Sequence, residues 1–181
     1  SKITIGDPKD FSNFMSAVID KKSFDNITGY IDRASKDSGC EIVTGGSYDE
    51  TKGYFIHPTT IICSDPHYES MSEEIFGPVL SIHIYPDQEF EQILDTCDKT
   101  SEYALTGSIF AANREDIETA KKALKYSCGN FYINDKPTGA VVGQQPFGGS
   151  GKSGTNDKAG DINLLYRLFN QRNIKINYEL N

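Results

Sequence analysis

The residues best suited to chemistry lie in two short clusters, one acidic and one glycine-rich. Residues 73–79 form the acidic cluster and read EEIFGPV. The pattern predicts a tight turn that projects one carboxylate and one aromatic ring from the end of a strand, a position that suits a ligand. Because adjacent side chains point in different directions, Glu73 and Glu74 are not expected to act as a paired acid and base. Two solvated acids before a turn are the commoner explanation of this segment alone.

The glycine-rich cluster spans residues 138–160. Glycines at this density let backbone amides approach an anion, but the spacing matches neither the phosphate loop nor the dinucleotide fingerprint. The physical alternative is a carboxylate held by N–H groups at the start of the helix after Gly160, since helix N-termini favour negative charge. A flexible loop without a ligand fits the local sequence equally well.

Asn134 is a third candidate, because it ends the short apolar strand predicted at residues 130–133. Its side-chain amide could donate a hydrogen bond to a developing oxyanion. Asparagine is also a common turn residue, so a structural role is the other interpretation. The sequence leaves both open.

The cysteines offer no motif of their own. Cys40, Cys63, Cys97 and Cys128 are widely separated and form no C-x-x-C pair, which argues against a zinc knuckle or a thioredoxin-like site. We expect all four cysteines to be reduced and to serve as small apolar residues.

Bulk composition narrows the class of protein. The 181 residues contain 37% hydrophobic and 24% charged residues, as soluble globular chains do. A formal charge of -8 argues against a nucleic acid partner, because phosphate binding needs clustered Lys and Arg. No apolar run approaches the ~20 residues needed for a membrane span, and no signal-type segment follows Ser1. The chain opens without Met, which suggests that it begins mid-fold.

The elements that must position these residues follow from periodicity. Helical spacing predicts a helix over 11–19 with Asp10 as its cap, and a second helix after Ser23. Short β-like runs follow, over 41–44 and 54–62.

Beyond the acidic cluster the pattern alternates between strand and helix. The predicted ranges are strands at 79–85, 105–111 and 130–133, helices at 88–97, 114–126 and 162–169, and a final strand at 172–178. Alternation of this kind predicts an α/β fold with a mixed, largely parallel sheet and crossover helices.

The two clusters also carry a resemblance to a known family. EEIFGPV followed by PFGG at 146–149 and SG at 153–154 resembles the aldehyde dehydrogenases, in the expected order. The strings NFYINDK, TGAVVGQQ and SGTNDK, which begin at residues 130, 138 and 153, are similar to the pyrroline-5-carboxylate dehydrogenase branch. The likeness runs from Gly6 to Ile176.

The resemblance implies NAD as the cofactor. Glu74 would accept hydrogen bonds from the nicotinamide ribose hydroxyls, and Phe76 would pack beside the same half of the cofactor. An acceptor carboxylate suits a vicinal diol, as acidic residues show in other dinucleotide sites.

The resemblance also implies a substrate site for glutamate semialdehyde. Backbone amides at Gly160 would hold the substrate carboxylate. Asp161 departs from the family, where a small neutral residue is usual, and an inward carboxylate would repel an anionic substrate. Leu168 occupies the place of an aromatic residue that packs on the substrate chain, with Phe169 next to it. A one-residue shift of the loop would exchange the two.

The largest departure is the missing nucleophile. Aldehyde dehydrogenases use a cysteine in a G-Q-x-C motif, and none of the four cysteines has that context. We therefore expect no catalytic residue in this chain, with the nucleophile and most of the NAD-binding part lying upstream, and we expect the chain alone to be inactive.

The resemblance implies that the complete protein is an NAD-dependent dehydrogenase of proline catabolism that makes L-glutamate in the mitochondrial matrix. Residues 1–170 would be part of its catalytic domain, and residues 171–181 would be a C-terminal strand that pairs subunits in a homo-oligomer. The alternative is a noncatalytic, dehydrogenase-like protein that serves as an interaction module.

Overall fold

The chain divides into two units, Ser1–Glu102 and Tyr103–Asn181. The structure is a computed structural model that describes residues 2–141 and 143–179. The boundary predicted at residue 170 stays a prediction, and residues 180 and 181 of its C-terminal part lie outside the described residues.

Over its described residues, 2–102, the first unit contains three helices and five strands besides one 3-10 turn at Asp87–Glu89. In chain order they are α1 (Lys21–Ala34), β1 (Cys40–Thr44), β2 (Tyr48–Asp49), β3 (Phe55–Ile56), β4 (Thr59–Cys63), α2 (Glu69–Ser72), β5 (Val79–Ile82) and α3 (Phe90–Thr100).

Among the described residues, helix α1 supplies four of the eight buried hydrophobic residues of this unit. Its carboxylate cap, Asp20, accepts a hydrogen bond from the Ser23 backbone N–H at 2.7 Å, which satisfies one of the free donors of the first turn. Phe24, Ile27 and Ile31 recur at helical spacing and are at most 4% exposed. This stripe packs beside the main sheet. The helix predicted after Ser23 is therefore confirmed, but it begins at Lys21, before Ser23.

The main sheet of the first unit is mixed. Strand β4 pairs antiparallel with β1 and parallel with β5, in the order β1-β4-β5. Strand β4 alternates buried and half-buried residues, with Thr59, Ile61 and Cys63 on the buried face. Strands β2 and β3 form a separate two-stranded ribbon.

The second unit is built on one crossover. It contains β6 (Tyr103–Ala104), β7 (Thr106–Ile109), α4 (Arg114–Ala123), β8 (Asn130–Ile133), β9 (Ser150–Gly151) and α5 (Ile162–Tyr166). Strands β7 and β8 are parallel and α4 connects them, whereas β6 and β9 are antiparallel. The predicted strand, helix and strand of this region are confirmed.

The α/β class with mixed sheets is therefore confirmed, whereas a largely parallel sheet is not shown. Of the pairings among described strands, two are parallel and three antiparallel. Within residues 2–141 and 143–179, no helix is both long and apolar enough to cross a membrane.

The helix predicted over residues 11–19 is wrong. Phe11, Phe14 and Ile19 are 98%, 79% and 90% exposed, so the apolar periodicity does not mark a buried face. Asp10 caps a turn instead, accepting from the Ser12 backbone N–H at 3.0 Å. The chain then pairs with the preceding residues, because the Phe14 N–H donates to the Thr4 carbonyl at 3.0 Å.

Two predicted strands also differ. The run 54–62 is broken into β3 and β4 at His57–Pro58, because proline has no N–H to donate to a ladder. Residues 169–179 contain neither helix nor strand. A strand exists only when a neighbour accepts its hydrogen bonds, so the predicted C-terminal strand stays a prediction.

Candidate functional site

The acidic cluster is a turn between α2 and β5, fixed by backbone hydrogen bonds at both ends. The Glu73 N–H donates to the Glu69 carbonyl at 3.0 Å, which closes α2. At the other end the Thr59 N–H donates to the Pro78 carbonyl at 2.8 Å, which begins the pairing of β4 with β5. The turn is thereby tied to the central strand of the sheet.

Two residues of this turn anchor it to the core. Ile75 packs against the buried cluster that contains Phe24 and Ile27. Gly77 lies so close to α1 that a Cβ placed on it would come within 2.5 Å of the Ile27 Cδ1 atom. Ile75 is partly buried in this way, whereas Glu74 and Phe76 are exposed.

Phe76 is both exposed and strained. Its φ angle is 58°, a left-handed conformation that L residues other than glycine rarely adopt, and its side chain is 86% exposed. Strain of this kind costs of order 1–3 kcal/mol and is concentrated at functional positions. An aromatic ring held in water at that cost indicates a ligand surface.

The strain gives a testable expectation for the chain alone. We expect Phe76→Gly to be about 1 kcal/mol more stable than Phe76→Ala, because glycine adopts positive φ without strain although it normally stabilises less than alanine. Urea unfolding of both variants measures the difference. A Phe76→Ala variant that is the more stable of the two would mean that the left-handed conformation carries no strain.

Chemically, the turn offers an acceptor beside a flat apolar surface. The Glu74 carboxylate accepts hydrogen bonds only, which suits a pair of neighbouring hydroxyl groups. The two residues predicted to contact the cofactor are therefore brought together, one residue apart, on the exposed side of one rigid turn.

The glycine-rich cluster is held by Lys158, a residue for which the sequence predicts no role. The Lys158 Nζ atom donates to the Gly129 carbonyl at 2.6 Å and to the Gly148 carbonyl at 2.7 Å, and lies 3.4 Å from the Asn130 Oδ1 atom. An ammonium group has three donors, and here each finds an oxygen. No local pattern signals this role, because the acceptors are backbone atoms distant in sequence.

Asn130 completes the same arrangement from the start of β8. Its Nδ2 atom donates to the Pro146 carbonyl at 3.0 Å, and its Oδ1 atom accepts from the Gly148 N–H at 3.3 Å. The backbones approach so closely that a Cβ on Gly129 would lie 1.8 Å from the Gly148 oxygen. Residues 146–149 are therefore a fixed part of the fold, which argues against the flexible-loop reading for this portion.

Removing the lysine is expected to weaken the second unit. Lys158→Met should cost at least ~2 kcal/mol, because partly buried carbonyl groups lose charged donors that methionine cannot replace. Lys136→Met, an exposed lysine of the same unit, is the matched control and should change little. Urea unfolding followed by tyrosine fluorescence measures both; equal midpoints would contradict a role for the ammonium group.

Gly160 and Asp161 lie where this anchored segment meets α5. Gly160 has a φ angle of 83°, which requires glycine, and a Cβ on it would meet nothing within 4 Å. The preceding residue, Ala159, forms a bridge with Phe147 through N–H to carbonyl bonds of 2.8 and 3.0 Å. Gly160 is thus an exposed position on a supported backbone.

Asp161 caps helix α5 with its own side chain. Its Oδ1 atom accepts from the Asn163 N–H at 2.7 Å. The carboxylate is therefore engaged locally, with the amide of the helix rather than with a cation. Leu168 and Phe169 follow α5 and are 77% and 67% exposed, so exposure alone does not choose between them.

Asn134 is a structural residue in this fold. Its Oδ1 atom accepts from the Ala111 N–H at 2.9 Å, and its Nδ2 atom donates to the Ala111 carbonyl at 3.0 Å. Its φ angle of 53° is one that asparagine tolerates better than most residues. Both ends of the amide are occupied, so the turn interpretation is favoured over the oxyanion donor.

None of the thiols whose pKa is shifted resembles an activated nucleophile. Burial, reinforced by the neighbouring Cys63 thiol, raises the pKa of Cys40 to about 11. Partial burial raises the pKa of both Cys97 and Cys128 above the usual value. A nucleophilic cysteine needs a lowered pKa, so these three lack the required environment. Among the described residues, no three His, Cys, Asp or Glu side chains cluster as metal ligands would.

Comparison with known proteins places this geometry in context. Residues 1–173 match the model of the aldehyde dehydrogenase family. The chain is 59% identical over 174 residues to the mitochondrial delta-1-pyrroline-5-carboxylate dehydrogenase of Dictyostelium discoideum, covering 96% of this chain and 31% of that protein. For the human protein of the same name, identity is 46% over 176 residues, covering 97% and 31%.

A solved structure extends the similarity to the fold. The crystal structure of the delta-pyrroline-5-carboxylate dehydrogenase from Mycobacterium tuberculosis bound with NAD superposes with a TM-score of 0.80 at 48% identity. The superposition covers 91% of this chain and 30% of that one. The chain thus spans about a third of the length of the curated relatives it matches.

Proposed function

Because the chain belongs to the aldehyde dehydrogenase family, we propose that it is the C-terminal portion of an NAD-dependent dehydrogenase that oxidises L-glutamate γ-semialdehyde to L-glutamate. The semialdehyde arises from pyrroline-5-carboxylate, the compound named in the relatives. The observation that carries the proposal is the turn at 73–78, which presents Glu74 and Phe76 to solvent at the cost of strain.

NAD is the cofactor of the proposed reaction and supplies the hydride acceptor. Glu74 accepts hydrogen bonds from the hydroxyls of the nicotinamide ribose. The Phe76 ring lies beside the same half of the cofactor. Backbone hydrogen bonds hold the turn at both ends, so we expect little conformational entropy to be lost on binding.

Gly160 is proposed to bind the substrate carboxylate through its backbone N–H. The hydrogen bonds of Lys158 and Ala159 hold the backbone next to Gly160 in place. The Asp161 carboxylate accepts a hydrogen bond from the Asn163 N–H, so its charge stays at the start of the helix. The substrate carboxylate binds the backbone N–H of Gly160 instead. Leu168 contacts the aliphatic part of the substrate.

The thiol nucleophile and most of the NAD-binding part are proposed to belong to a preceding portion of the protein. The length of the relatives supports this division, because about two thirds of each lies outside the match. In the complete enzyme residues 1–170 would belong to the catalytic domain, and that domain would contain a larger, largely parallel sheet. The mitochondrial names of the relatives favour the mitochondrial matrix as its location.

The segment 171–181 is proposed to pair subunits of a homo-oligomer. Ile174, Ile176 and Tyr178 alternate along it and are 65%, 61% and 88% exposed. Alternating apolar residues on an extended segment suit the addition of a strand to a sheet edge of a second subunit.

A chimera tests the proposed function directly. The C-terminal third of the Dictyostelium relative is replaced by this chain, and NADH formation is followed with NAD and pyrroline-5-carboxylate. We expect turnover within about tenfold of the unaltered relative. A tenfold loss corresponds to an activation free energy only ~1.4 kcal/mol higher, which slight misplacement of residues at the new junction could cause. The same assay with an uncharged aldehyde of similar length is the control for substrate class.

Two outcomes of the chimera experiment would contradict parts of the proposal. A folded chimera that binds NAD but forms no NADH would favour the noncatalytic interaction module. Faster turnover of the uncharged aldehyde would contradict glutamate semialdehyde as the substrate while leaving the dehydrogenase reading intact.

A further inference from the structure

Two cysteines that the proposed reaction does not use lie against each other in the first unit. Cys40 and Cys63 are register partners on the antiparallel strands β1 and β4. Their sulfur atoms are 3.9 Å apart, both as free thiols. A disulfide needs a sulfur separation of ~2 Å, so small rotations of the two side chains would close the gap.

The backbone at this pair has the favourable kind of register. The neighbouring pair, Gly39 and Ser64, is hydrogen-bonded, because the Ser64 N–H donates to the Gly39 carbonyl at 2.9 Å. The Cys40 N–H instead donates to the Asp37 carbonyl on its own side of the sheet, at 3.1 Å. Because hydrogen-bonded and non-hydrogen-bonded pairs alternate, Cys40 and Cys63 form a non-hydrogen-bonded pair. Such pairs have Cα atoms ~4.5 Å apart, inside the range that disulfides occupy.

The two thiols differ in access. Cys63 is 1% exposed and lies on the buried face of β4, 3.8 Å from the Ser70 hydroxyl. Cys40 is only partly buried. A small reagent therefore reaches Cys40 first, and Cys63 is the thiol beside it.

We propose that Cys40 and Cys63 are a dithiol site that forms a reversible intramolecular disulfide with a low-molecular-weight disulfide as the oxidant. The Cys40 thiolate attacks one sulfur of the reagent and expels a thiol, leaving a mixed disulfide on Cys40. The Cys63 thiolate then attacks the Cys40 sulfur and expels the second thiol. One reagent disulfide is reduced to two thiols, which take up the two protons, and one protein disulfide is formed.

The bond would join the first strand of the sheet to its central strand. It closes a loop that contains β2 and β3, so it restricts the unfolded chain and stabilises the first unit. The raised pKa of Cys40 keeps the first step slow at neutral pH, since only the thiolate attacks. This inference stands independently of the proposed dehydrogenase activity.

The test uses a parent chain with Cys97→Ser and Cys128→Ser, so that only the pair remains. The folded parent is incubated with oxidised glutathione, quenched with acid, alkylated, and analysed by intact mass and peptide mapping. We expect the loss of two hydrogens, a peptide cross-linked through Cys40 and Cys63, no retained glutathione, reversal by dithiothreitol, and a thermal midpoint raised by several degrees.

Single variants isolate the second step. With Cys63→Ala in the parent, we expect glutathione to remain on Cys40; with Cys40→Ser, we expect no adduct, because Cys63 is shielded. A parent that retains glutathione with both cysteines present would overturn the proposal. So would a parent that forms the cross-link only after denaturant is added.

Discussion

Replacing Gly129 with alanine is expected to destabilise the second unit by ~3 kcal/mol or more, at the upper end of overpacking effects. The added methyl group would lie 1.8 Å from the Gly148 oxygen and 2.7 Å from the Gly149 Cα atom. These are backbone atoms, so no side chain can rotate to make room. The Lys158 hydrogen bonds to both glycine carbonyls would have to be broken or lengthened.

Gly139→Ala is the matched control for this change. A Cβ at Gly139 meets nothing within 4 Å, and its backbone does not have positive φ. We expect its urea midpoint to equal or slightly exceed that of the parent, because alanine restricts the unfolded chain. If Gly129→Ala unfolded at the same midpoint as Gly139→Ala, the close approach of the two glycine backbones would be refuted.

Replacing Glu74 with alanine in the chimera is expected to raise the KM for NAD by roughly ten- to a hundredfold. The estimate follows from ~1.5–3 kcal/mol for hydrogen bonds to a charged group, with 1.4 kcal/mol per factor of ten. The side chain is exposed, so the loss of a binding contact is not confounded by loss of a core residue. NADH formation at varied NAD concentration measures the effect.

Glu73→Ala is the paired control, because Glu73 is the adjacent exposed acid with the same charge. Its loss removes one negative charge from the turn without removing the proposed ribose contact. We expect the KM for NAD to stay within about twofold, as is usual for an exposed charge that makes no direct contact. Equal effects of the two substitutions would point to the overall charge of the turn rather than to recognition by Glu74.

The second unit shows why its elements were predictable. The strand, helix and strand of β7, α4 and β8 each carry their own periodicity, and the N-cap of α4, Asn113, is a strong local start signal. The helix predicted over 11–19 failed because periodicity records only which residues are apolar, not whether anything covers them. The β-branched and aromatic residues of 54–62 favoured one long strand. Pro58 has no N–H to donate to a sheet, and the segment therefore forms two strands, β3 and β4.

The candidate site was predictable only in part, for a related reason. Glu74 and Phe76 lie in a short motif whose turn character comes from neighbouring residues, so the sequence located them. The role of Lys158 depends on carbonyl groups of Gly129 and Gly148, which have no side-chain signature. Likewise, the local hydrogen bond of Asp161 depends on where α5 begins, which the sequence placed correctly without revealing what the carboxylate contacts.

The contact between Gly77 and Ile27 connects the interior of the first unit to the proposed nucleotide surface. Ile27 is fully buried, yet its Cδ1 atom sets how far Gly77 can move inward. A substitution in the core would therefore change the affinity for the proposed cofactor, even where it hardly changes the stability of the unit. Removing one methyl group, as in Ile27→Val, would let the turn sink toward α1 and shift Phe76 with it. Under the proposed function, the affinity for NAD would therefore also depend on residues that touch no ligand.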